Sequence, residues 1–459
     1  MKIKFYNTLK HKIEEFKPIK DRQVGMYTCG PTVYYYPHIG NFCAYIRADV
    51  LKRVLNYFGY KVKHVINITD VGHLTSDADT GEDKLEKGAK REGKTAKEIA
   101  RFYEDYFKKQ LPKLNIIKPD VYCRATEHIK EMVMMVILLE RKGYIYRTSD
   151  GLYFDTSKFK KYGDMANLKS QKLLAGARVE FSKEKKNIHD FSVWKFEEKG
   201  QKRQMVWETP WGKRTFPGWH IECSAMSIKY LGDRFDIHTG GIDHIPVHHT
   251  NEIAQNDAAV GRKVVNYWFH NEHLLVENNK MSKSKGTCFT IDDIQTKGFE
   301  PLAFRYLLLT SGYRHKINFT WKSLKSAQES LNSLRSHLAS FKGKTEGKVL
   351  DKYDKEFKGV LANNLDSAKA LALTWKLIKS DEKPEDKYKT IIQFDKVFGL
   401  NLDEVKKVNI PKNVQEIVHK MDKSRKEKDW NKADMYREKL EKLGYKVRNT
   451  DKGSVIEKK

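Results

Sequence analysis

A short segment near the start of the sequence carries polar groups suited to binding phosphate. The run Pro37-His38-Ile39-Gly40-Asn41 follows a predicted strand and opens a predicted helix. Backbone N–H groups without helical partners attract phosphate at such a position, and Gly40 lets the backbone approach closely. His38 and Asn41 are donors for the negative charge that builds up on a reacting α-phosphate. Asn41 is also explained as an N-cap, so this segment alone is weak evidence.

A second run, Lys280-Met281-Ser282-Lys283-Ser284-Lys285-Gly286, places three lysines among small residues after a predicted strand. Lysine is a mobile point charge suited to a leaving pyrophosphate, which makes Lys280 and Lys283 candidate catalytic residues. A solvated basic loop is the alternative for this run alone. The two runs together, in this order, resemble the HIGH and KMSKS signatures of class I aminoacyl-tRNA synthetases.

A scattered set of Cys, His and Glu residues is a candidate metal site. His248 and Glu252 stand four residues apart, so they face the same way on a helix. Cys223 precedes them by 25 residues, and Cys29 ends the first predicted strand. Two thiolates, an imidazole and a carboxylate suit zinc better than magnesium or calcium. On spacing alone, buried core cysteines and a structural histidine pair remain the alternative.

The composition narrows the class of protein. A length of 459 residues allows about three domains, and a net charge of +27 with 39% hydrophobic residues indicates a folded protein with a polyanionic partner. Five scattered cysteines without a Cys-x-x-Cys pair exclude a zinc ribbon. The longest apolar run, Met132 to Leu139, is too short to span a bilayer, so we expect no membrane segment. The first residues contain no apolar stretch long enough for a signal peptide, so we expect a cytoplasmic protein.

The elements that must position these residues begin with a βαβ unit. Gln23 to Cys29 reads as a buried strand, a helix follows up to Gly59, and Lys61 to Ile68 reads as a second strand. This order predicts a parallel sheet with ligands at the carboxyl ends of its strands. Gly88 to Thr95 matches the phosphate-loop pattern, but no buried strand precedes it, so we exclude that function. After about residue 298 the pattern is helical, and two short helices close the basic C-terminal segment.

Several further segments resemble signatures of the cysteinyl-tRNA synthetase family, in order and spacing, over nearly the whole chain. They are Cys29-Gly-Pro-Thr-Val33, Asn67-Ile-Thr-Asp-Val71, Leu174-Ala-Gly-Ala-Arg-Val-Glu180, Pro217-Gly-Trp-His-Ile-Glu-Cys-Ser-Ala-Met226, Phe235-Asp-Ile-His238, Asn251-Glu-Ile-Ala-Gln255 and Lys428-Asp-Trp-Asn-Lys-Ala-Asp434. The resemblance implies an α/β fold: a Rossmann-like catalytic domain with a parallel sheet and a connective insertion, then an all-α bundle and a small C-terminal anticodon-binding domain.

The resemblance also implies domain boundaries. The catalytic domain would comprise residues 1–125 and 201–297, the second part with the KMSKS loop, and the connective insertion 126–200. A stem-contact region at 298–325, a helical bundle at 326–405 and an anticodon-binding domain at 406–459 would follow.

Site residues carry over by position. The implied zinc ligands are Cys29, Cys223, His248 and Glu252. The implied catalytic residues are His38, Asn41, Lys280 and Lys283, and the implied ATP-binding residues are Gly40, Asp243 and Lys283. Gly30, Thr69 and Trp219 would contact the amino acid, although Trp219 is equally explained by core packing and Asp243 as a turn residue. The histidines His220, His238 and His249 crowd the same segments and would support zinc or nucleotide.

The implied activity is ATP-dependent attachment of L-cysteine to tRNA-Cys through a cysteinyl-adenylate, with Mg²⁺ accompanying ATP. Zinc would bind the substrate thiolate and so exclude serine, which leaves no need for an editing domain. We expect a monomer. Two alternatives are a ligase that joins cysteine to an amino-sugar, which would lack the C-terminal module, and a non-catalytic tRNA-binding paralogue, which would have lost a motif.

Overall fold

The computed structural model of the chain describes residues 1–72, 83–168, 184–198, 200, 202–282, 286–341, 346–404, 411–450 and 453–458. The chain forms two compact units, Met1–Asp403 and Glu404–Lys459. No helix among the described residues is long and apolar enough to cross a membrane.

The first unit contains fifteen strands in its described part. In chain order they are β1 (Lys4–Asn7), β2 (Lys12–Glu15), β3 (Gln23–Thr28), β4 (Lys61–Ile68), β5 (Val121–Arg124), β6 (Ile145–Arg147), β7 (Gly151–Phe154), β8 (Phe191–Phe196), β9 (Trp207–Thr209), β10 (Gly212–Pro217), β11 (Phe235–Gly241), β12 (Val265–Asn271), β13 (Leu274–Val276), β14 (Asn279–Lys280) and β15 (Ile317–Phe319).

The helices of this unit lie mostly between and after those strands. They are α1 (Ile39–Tyr57), α2 (Lys84–Glu92), α3 (Ala96–Lys113), α4 (Ile129–Arg141), α5 (Trp219–Leu231), α6 (Thr250–Val260), α7 (Ile291–Thr296), α8 (Pro301–Leu309), α9 (Trp321–Phe341), α10 (Asp351–Ala362), α11 (Ser367–Ile378) and α12 (Pro384–Phe398).

A five-stranded parallel sheet carries the site. Its strand order is β12-β11-β3-β4-β5, and every neighbouring pair is parallel. From β3 the chain builds outward through β4 and β5, and later adds β11 and β12 on the other side. The sequence order therefore reverses between β3 and β11, which is where sheets of this class bind ligands. The predicted α/β fold with a Rossmann-like parallel sheet is confirmed.

Helix α1 begins at the phosphate-binding candidate segment for a local reason. His38 is its N-cap, and the side chains of His38 and Asn41 each bond the other's backbone N–H in a capping box. Most side chains along its length are buried, and the helix ends before Gly59, whose φ of 85° suits glycine. The first turn of α1 is consequently held at the carboxyl edge of the sheet beside β3.

A second sheet, antiparallel and ordered β6-β7-β8-β10-β9, lies within the chain between β5 and β11. The segment from Arg147 to Gly151 forms the turn that joins β6 to β7. This sheet continues to Pro217, past the boundary at residue 200 that the sequence analysis expects for the insertion. The domain boundaries stay predictions.

Helices dominate the rest of the first unit. Leu324, Leu331, Leu334 and Leu338 give α9 a buried apolar face. Three short strands that precede α9 in the chain form a small sheet with the order β14-β13-β15.

Among the described residues, no strand directly precedes the segment Gly88 to Thr95, which matches the phosphate-loop pattern. Gly93, with φ of 63°, caps the C-terminus of α2, and Thr95 is the N-cap of α3. The glycine and threonine of the pattern thus end one helix and begin the next, which agrees with the exclusion of a phosphate loop.

The second unit contains α13 (Lys412–Lys426), α14 (Trp430–Lys442) and a hairpin of β16 (Tyr445–Thr450) and β17 (Gly453–Lys458). Its small core is formed by the buried residues Val414, Met421, Ala433, Leu440 and Tyr445. The sequence analysis predicted the two helices but not the hairpin, although Tyr445-Lys446-Val447-Arg448 alternates apolar and polar residues as a half-buried strand does.

Candidate active site

The four candidate metal ligands meet at the carboxyl edge of the parallel sheet. Cys29 follows β3, Cys223 lies on α5, His248 lies in a π-helical turn (Ile245–His249), and Glu252 lies in the first turn of α6. Their ligand atoms all lie within 4.8 Å of one another, and all four residues are buried. His248 Nε2 lies 3.0 Å from Glu252 Oε1, as expected for residues four apart on a helix. The cluster could therefore hold a metal ion.

Neighbouring histidines hold two of these ligands in place. His238 Nε2 lies 2.9 Å from Glu252 Oε2, and His220 Nδ1 lies 2.9 Å from His248 Nδ1. Contacts of this kind fix the orientation of a ligand before a metal arrives. The sequence placed His220 and His238 near the site, and the structure adds their partners.

A third histidine contact reaches Cys29. His249 Nε2 lies 3.1 Å from Cys29 Sγ, and its Nδ1 lies 2.7 Å from His270 Nε2. His270 in turn contacts the Thr8 hydroxyl at 2.8 Å. The sequence analysis missed His270. The sequence marks it only as a polar residue near the end of a buried strand. Cys29, His238, His249 and Glu252 form a second group of potential ligands.

The electrostatics of the cluster follow from burial among mutually interacting groups. A hydrogen bond with Cys29 lowers the pKa of Cys223 to about 7, although burial opposes the change. Burial works against a charge on His248, but Glu252 and Cys223 outweigh it and raise the pKa of His248 to about 10. Burial raises the pKa of the Cys29 thiol. A cation at the centre would compensate the thiolate and carboxylate charges.

The predicted amino-acid contacts adjoin the cluster. The Gly30 N–H donates to Asn67 Oδ1 at 2.7 Å, and the Asn67 side-chain amide donates to the Thr69 hydroxyl at 3.0 Å. A Cβ on Gly30 would lie 1.5 Å from the Asn67 carbonyl oxygen, so only glycine fits there. Asn67 therefore positions both Gly30 and Thr69. The sequence analysis did not name Asn67 as a site residue, although it lies in the family-like segment Asn67 to Val71.

Trp219 is the first residue of α5 and lies against the cluster. Its ring centroid is 4.4 Å from that of His248 and 5.4 Å from that of His220. The side chain is half-buried. Its ring thus forms one wall beside a candidate metal ligand.

The two signature motifs, far apart in sequence, are in contact. A Cβ on Gly40 would lie 2.0 Å from Cε of Met281, so the absence of a side chain at Gly40 makes room for the methionine. The Ile39 N–H also donates to the Phe289 carbonyl oxygen at 2.7 Å, which ties the start of α1 to the segment after the second motif. The structure thereby joins His38 and Asn41 to the end of β14.

Two of the remaining predicted catalytic and ATP-binding residues, Lys280 and Asp243, are exposed. Lys280 ends β14 and faces solvent, whereas Lys283 lies outside the described residues. Asp243 lies in a 3₁₀ turn after β11 and is exposed. A Cβ on Gly241 would lie 2.3 Å from an Asp243 carboxylate oxygen. Because glycine has no Cβ, the carboxylate can lie in this position.

The sequence matches known proteins along its length. Residues 15–329 match the family model described as tRNA synthetases class I (C) catalytic domain. A solved structure of methionyl-tRNA synthetase from Mycobacterium tuberculosis, bound by methionyl-adenylate, superposes with a TM-score of 0.57 at 15% identity, covering 88% of this chain and 94% of that one. Together with the parallel sheet and the two adjoining motifs, these matches define a class I tRNA synthetase.

The relatives define the family within that class. Cysteine–tRNA ligase 1 of Burkholderia lata is 48% identical over 457 residues, covering 99% of this chain and 96% of the relative. Cysteine–tRNA ligase of Treponema denticola is 41% identical over 478 residues, covering 97% of each. The chain belongs to the cysteine–tRNA ligase family, whose members are aminoacyl-tRNA ligases.

Proposed function

We propose that this chain attaches L-cysteine to tRNA-Cys in two steps, with ATP as the energy source. Cysteine's carboxylate first attacks the α-phosphate of ATP, giving cysteinyl-adenylate and pyrophosphate. The 2′-hydroxyl of the terminal adenosine of tRNA then attacks the adenylate carbonyl and releases AMP. The observation that carries the proposal is the buried cluster of Cys29, Cys223, His248 and Glu252 at the carboxyl edge of the sheet, where the strand order reverses between β3 and β11.

Zinc fits this cluster. Two sulfur ligands, one imidazole and one carboxylate form a donor set that zinc accepts, and the four ligand atoms are close and buried. We assign the ion to Cys29, Cys223, His248 and Glu252 rather than to the group with His238, because the first set supplies two thiolates. Zinc, when bound, supplies a position for the substrate thiolate.

Selection against serine follows from that chemistry. A thiol loses its proton near neutral pH when it binds zinc, whereas the serine hydroxyl stays protonated and is a poorer ligand. The differential interaction is large enough to need no editing domain. Trp219, Gly30 and Thr69 would complete the cysteine pocket, with the Trp219 ring beside His248.

The first step needs charge stabilisation at the α-phosphate and at the leaving pyrophosphate. His38 and Asn41 lie at the N-terminus of α1, where the helix dipole favours negative charge. Lys280 and Lys283 supply positive charge from the second motif. Gly40, whose missing side chain makes room for Met281, would bind ATP through its backbone, and Asp243 would accept hydrogen bonds from the ribose hydroxyls. Mg²⁺ would accompany ATP.

The other sequence expectations stand as part of this proposal. The basic C-terminal unit would bind the anticodon, and its presence favours tRNA over an amino-sugar as the acceptor. The retained motifs and ligands favour catalysis over a binding-only paralogue. We further propose that the chain acts as a monomer in the cytoplasm, with the domain boundaries given above.

The test is ATP-dependent attachment of labelled cysteine to unfractionated tRNA, with labelled serine in parallel. We expect charging by cysteine alone. Cysteine-dependent pyrophosphate release without charged tRNA would overturn the tRNA assignment in favour of the amino-sugar ligase. Equal charging by serine would overturn the role of zinc in selection.

A further inference from the structure

Three large aromatic side chains are exposed together on the surface next to the active site. Tyr35, Tyr36 and Phe102 are 36%, 38% and 42% exposed, and we refer to them as the aromatic surface. The Tyr36 ring packs edge-on against Tyr106 at 4.7 Å and against Tyr103 at 5.0 Å between centroids. Grouped exposed rings on a folded protein mark an interaction site more often than isolated ones do.

The buried residue Tyr103 supports the three rings from the interior of the protein. Tyr103 is buried, and its hydroxyl donates to Glu92 Oε1 at 2.5 Å. The Tyr35 ring stacks on the Tyr103 ring at 6.2 Å, and Phe102 contacts Tyr103 edge-on at 5.1 Å. The faces that remain exposed are therefore presented in fixed orientations, which lowers the entropy cost of binding a flat partner.

Two cations and one carboxylate lie beside the aromatic surface. The Arg91 guanidinium lies 4.9 Å from the Tyr35 ring centroid, and the Lys94 ammonium lies 5.0 Å from the Phe102 ring centroid. Both cations also pair with Glu92, at 2.7 Å and 3.7 Å, so the group carries one net positive charge. Residues 83–113, which form α2 and α3, contain ten Lys and Arg against six Asp and Glu. Aromatic faces beside cations are the arrangement by which proteins bind single-stranded nucleic acid, with bases on the rings and phosphates at the cations.

The aromatic surface adjoins the proposed binding sites for cysteine and for ATP. Tyr35 and Tyr36 lie in the segment between Gly30, a proposed cysteine contact, and His38, a proposed ATP contact. In the same segment Thr32 forms a bridge with Thr69. A nucleotide strand whose last residue reaches the adenylate would therefore pass close to these rings.

We infer that the aromatic surface binds the unpaired nucleotides at the 3′ end of tRNA. This rests on the proposed function, in which the terminal adenosine must enter the site. Bases of the unpaired strand stack on Tyr35 and Phe102, and Arg91 and Lys94 neutralise the adjoining phosphates. Tyr36 packs between Tyr35 and the α3 residues Phe102 and Tyr103, and so keeps the two stacking rings in place.

The experiment compares Tyr35→Ala and Phe102→Ala with wild-type protein in two reactions. Cysteine-dependent ATP–pyrophosphate exchange needs no tRNA, so we expect it to be unchanged, which also shows that the variants fold. We expect the KM for tRNA in charging to rise about tenfold for each variant, as for the loss of one base stack. Phe102→Tyr keeps the ring and should charge like wild type.

A matched control removes an exposed apolar side chain elsewhere. Leu138 on α4 is 41% exposed, so Leu138→Ala removes a similar exposed surface without a ring and should leave the KM for tRNA unchanged. If Tyr35→Ala and Phe102→Ala charge tRNA with the wild-type KM, the inference is wrong while the proposed function stands. If the wild-type protein activates cysteine but never charges tRNA, both fail.

A truncated tRNA identifies the part that binds. We expect Phe102→Ala to bind full-length tRNA more weakly than wild type does, while both bind tRNA lacking its unpaired 3′ nucleotides equally. An equal loss of affinity for both tRNAs would assign the aromatic surface to another part of the tRNA and overturn the inference.

Discussion

The candidate metal-ligand cluster and the proposed nucleotide-binding segments are held in place differently. Cys223, His248 and Glu252 are at most 2% exposed, and histidines fix the orientation of two of them. Asn41 and Lys280 are exposed, and the polar atoms of Asn41 serve the start of α1.

The difference teaches how each part depends on its neighbours. Packing arranges the cluster before any ligand arrives, so its members act as a unit. The proposed nucleotide contacts lie at a helix cap and at a strand end, outside the cluster. Loss of one cluster residue should therefore abolish a site, whereas loss of one nucleotide contact should slow a step.

The largest effect is expected for Cys223→Ser. Removing one thiolate leaves an incomplete donor set, so we expect loss of zinc and a more than about 100-fold loss of cysteine activation. Metal content and ATP–pyrophosphate exchange measure the two. Cys123→Ser is the matched control, because Cys123 is equally buried on β5 but lies outside both groups of potential ligands. Full activity in a zinc-free Cys223→Ser protein would refute the metal role.

Lys280→Ala tests the exposed side of the comparison. A charge that acts mainly on the leaving pyrophosphate should slow adenylate formation about 100-fold and leave zinc content and cysteine affinity unchanged. Pre-steady-state adenylation with varied cysteine separates the two quantities. Lys316→Ala, an exposed lysine just before β15, should have no effect. Equal losses in cysteine affinity and rate would contradict a role in the transition state.

Asn41→Asp separates helix capping from catalysis. Aspartate retains an oxygen for the His38 N–H, which Asn41 Oδ1 accepts at 3.0 Å, so unfolding should be unchanged. It replaces a donor with negative charge beside the phosphates, so adenylation should slow about tenfold or more.

The control for Asn41 breaks a capping box elsewhere. Thr95→Ala removes the cap of α3 and should cost about 1 kcal/mol in the free energy of unfolding with normal adenylation. If Asn41→Asp adenylates cysteine at the wild-type rate, Asn41 is a cap only.

The smallest effect concerns the sheet beneath the cluster. His64 on β4 is buried, and burial lowers its pKa to about 3. Below its unfolded-state pKa of about 6.5, the unfolded chain binds a proton that the folded chain does not, so stability falls as pH falls. When the pH falls from 7 to 5.5, we expect the free energy of unfolding, measured with urea, to decrease by about 1 kcal/mol less in His64→Gln than in wild type. Identical pH dependence would show that His64 contributes nothing to it.

Much of the site could be predicted because its signals are local. The βαβ order around Gly40 placed the first motif at a helix start, and the four-residue spacing of His248 and Glu252 put both on one helical face. Strands β3 and β4 follow from runs of apolar residues between glycine and polar residues. Such patterns depend on residues within one or two turns of each other.

Other features depend on contacts between distant segments. The fit of Met281 against Gly40 and the place of His270 behind His249 have no local signature. The same holds for the Asn67 carbonyl oxygen that requires glycine at position 30. Each arises where separate elements pack.

The sequence by itself determined the parallel sheet, the order of the two motifs and the identity of the four candidate ligands. Only the tertiary structure decided that Cys29, Cys223, His248 and Glu252 converge within 4.8 Å and that histidines support them. The reason is physical: chain connectivity sets which residues share a helix or strand, whereas burial in a packed interior sets which distant side chains meet.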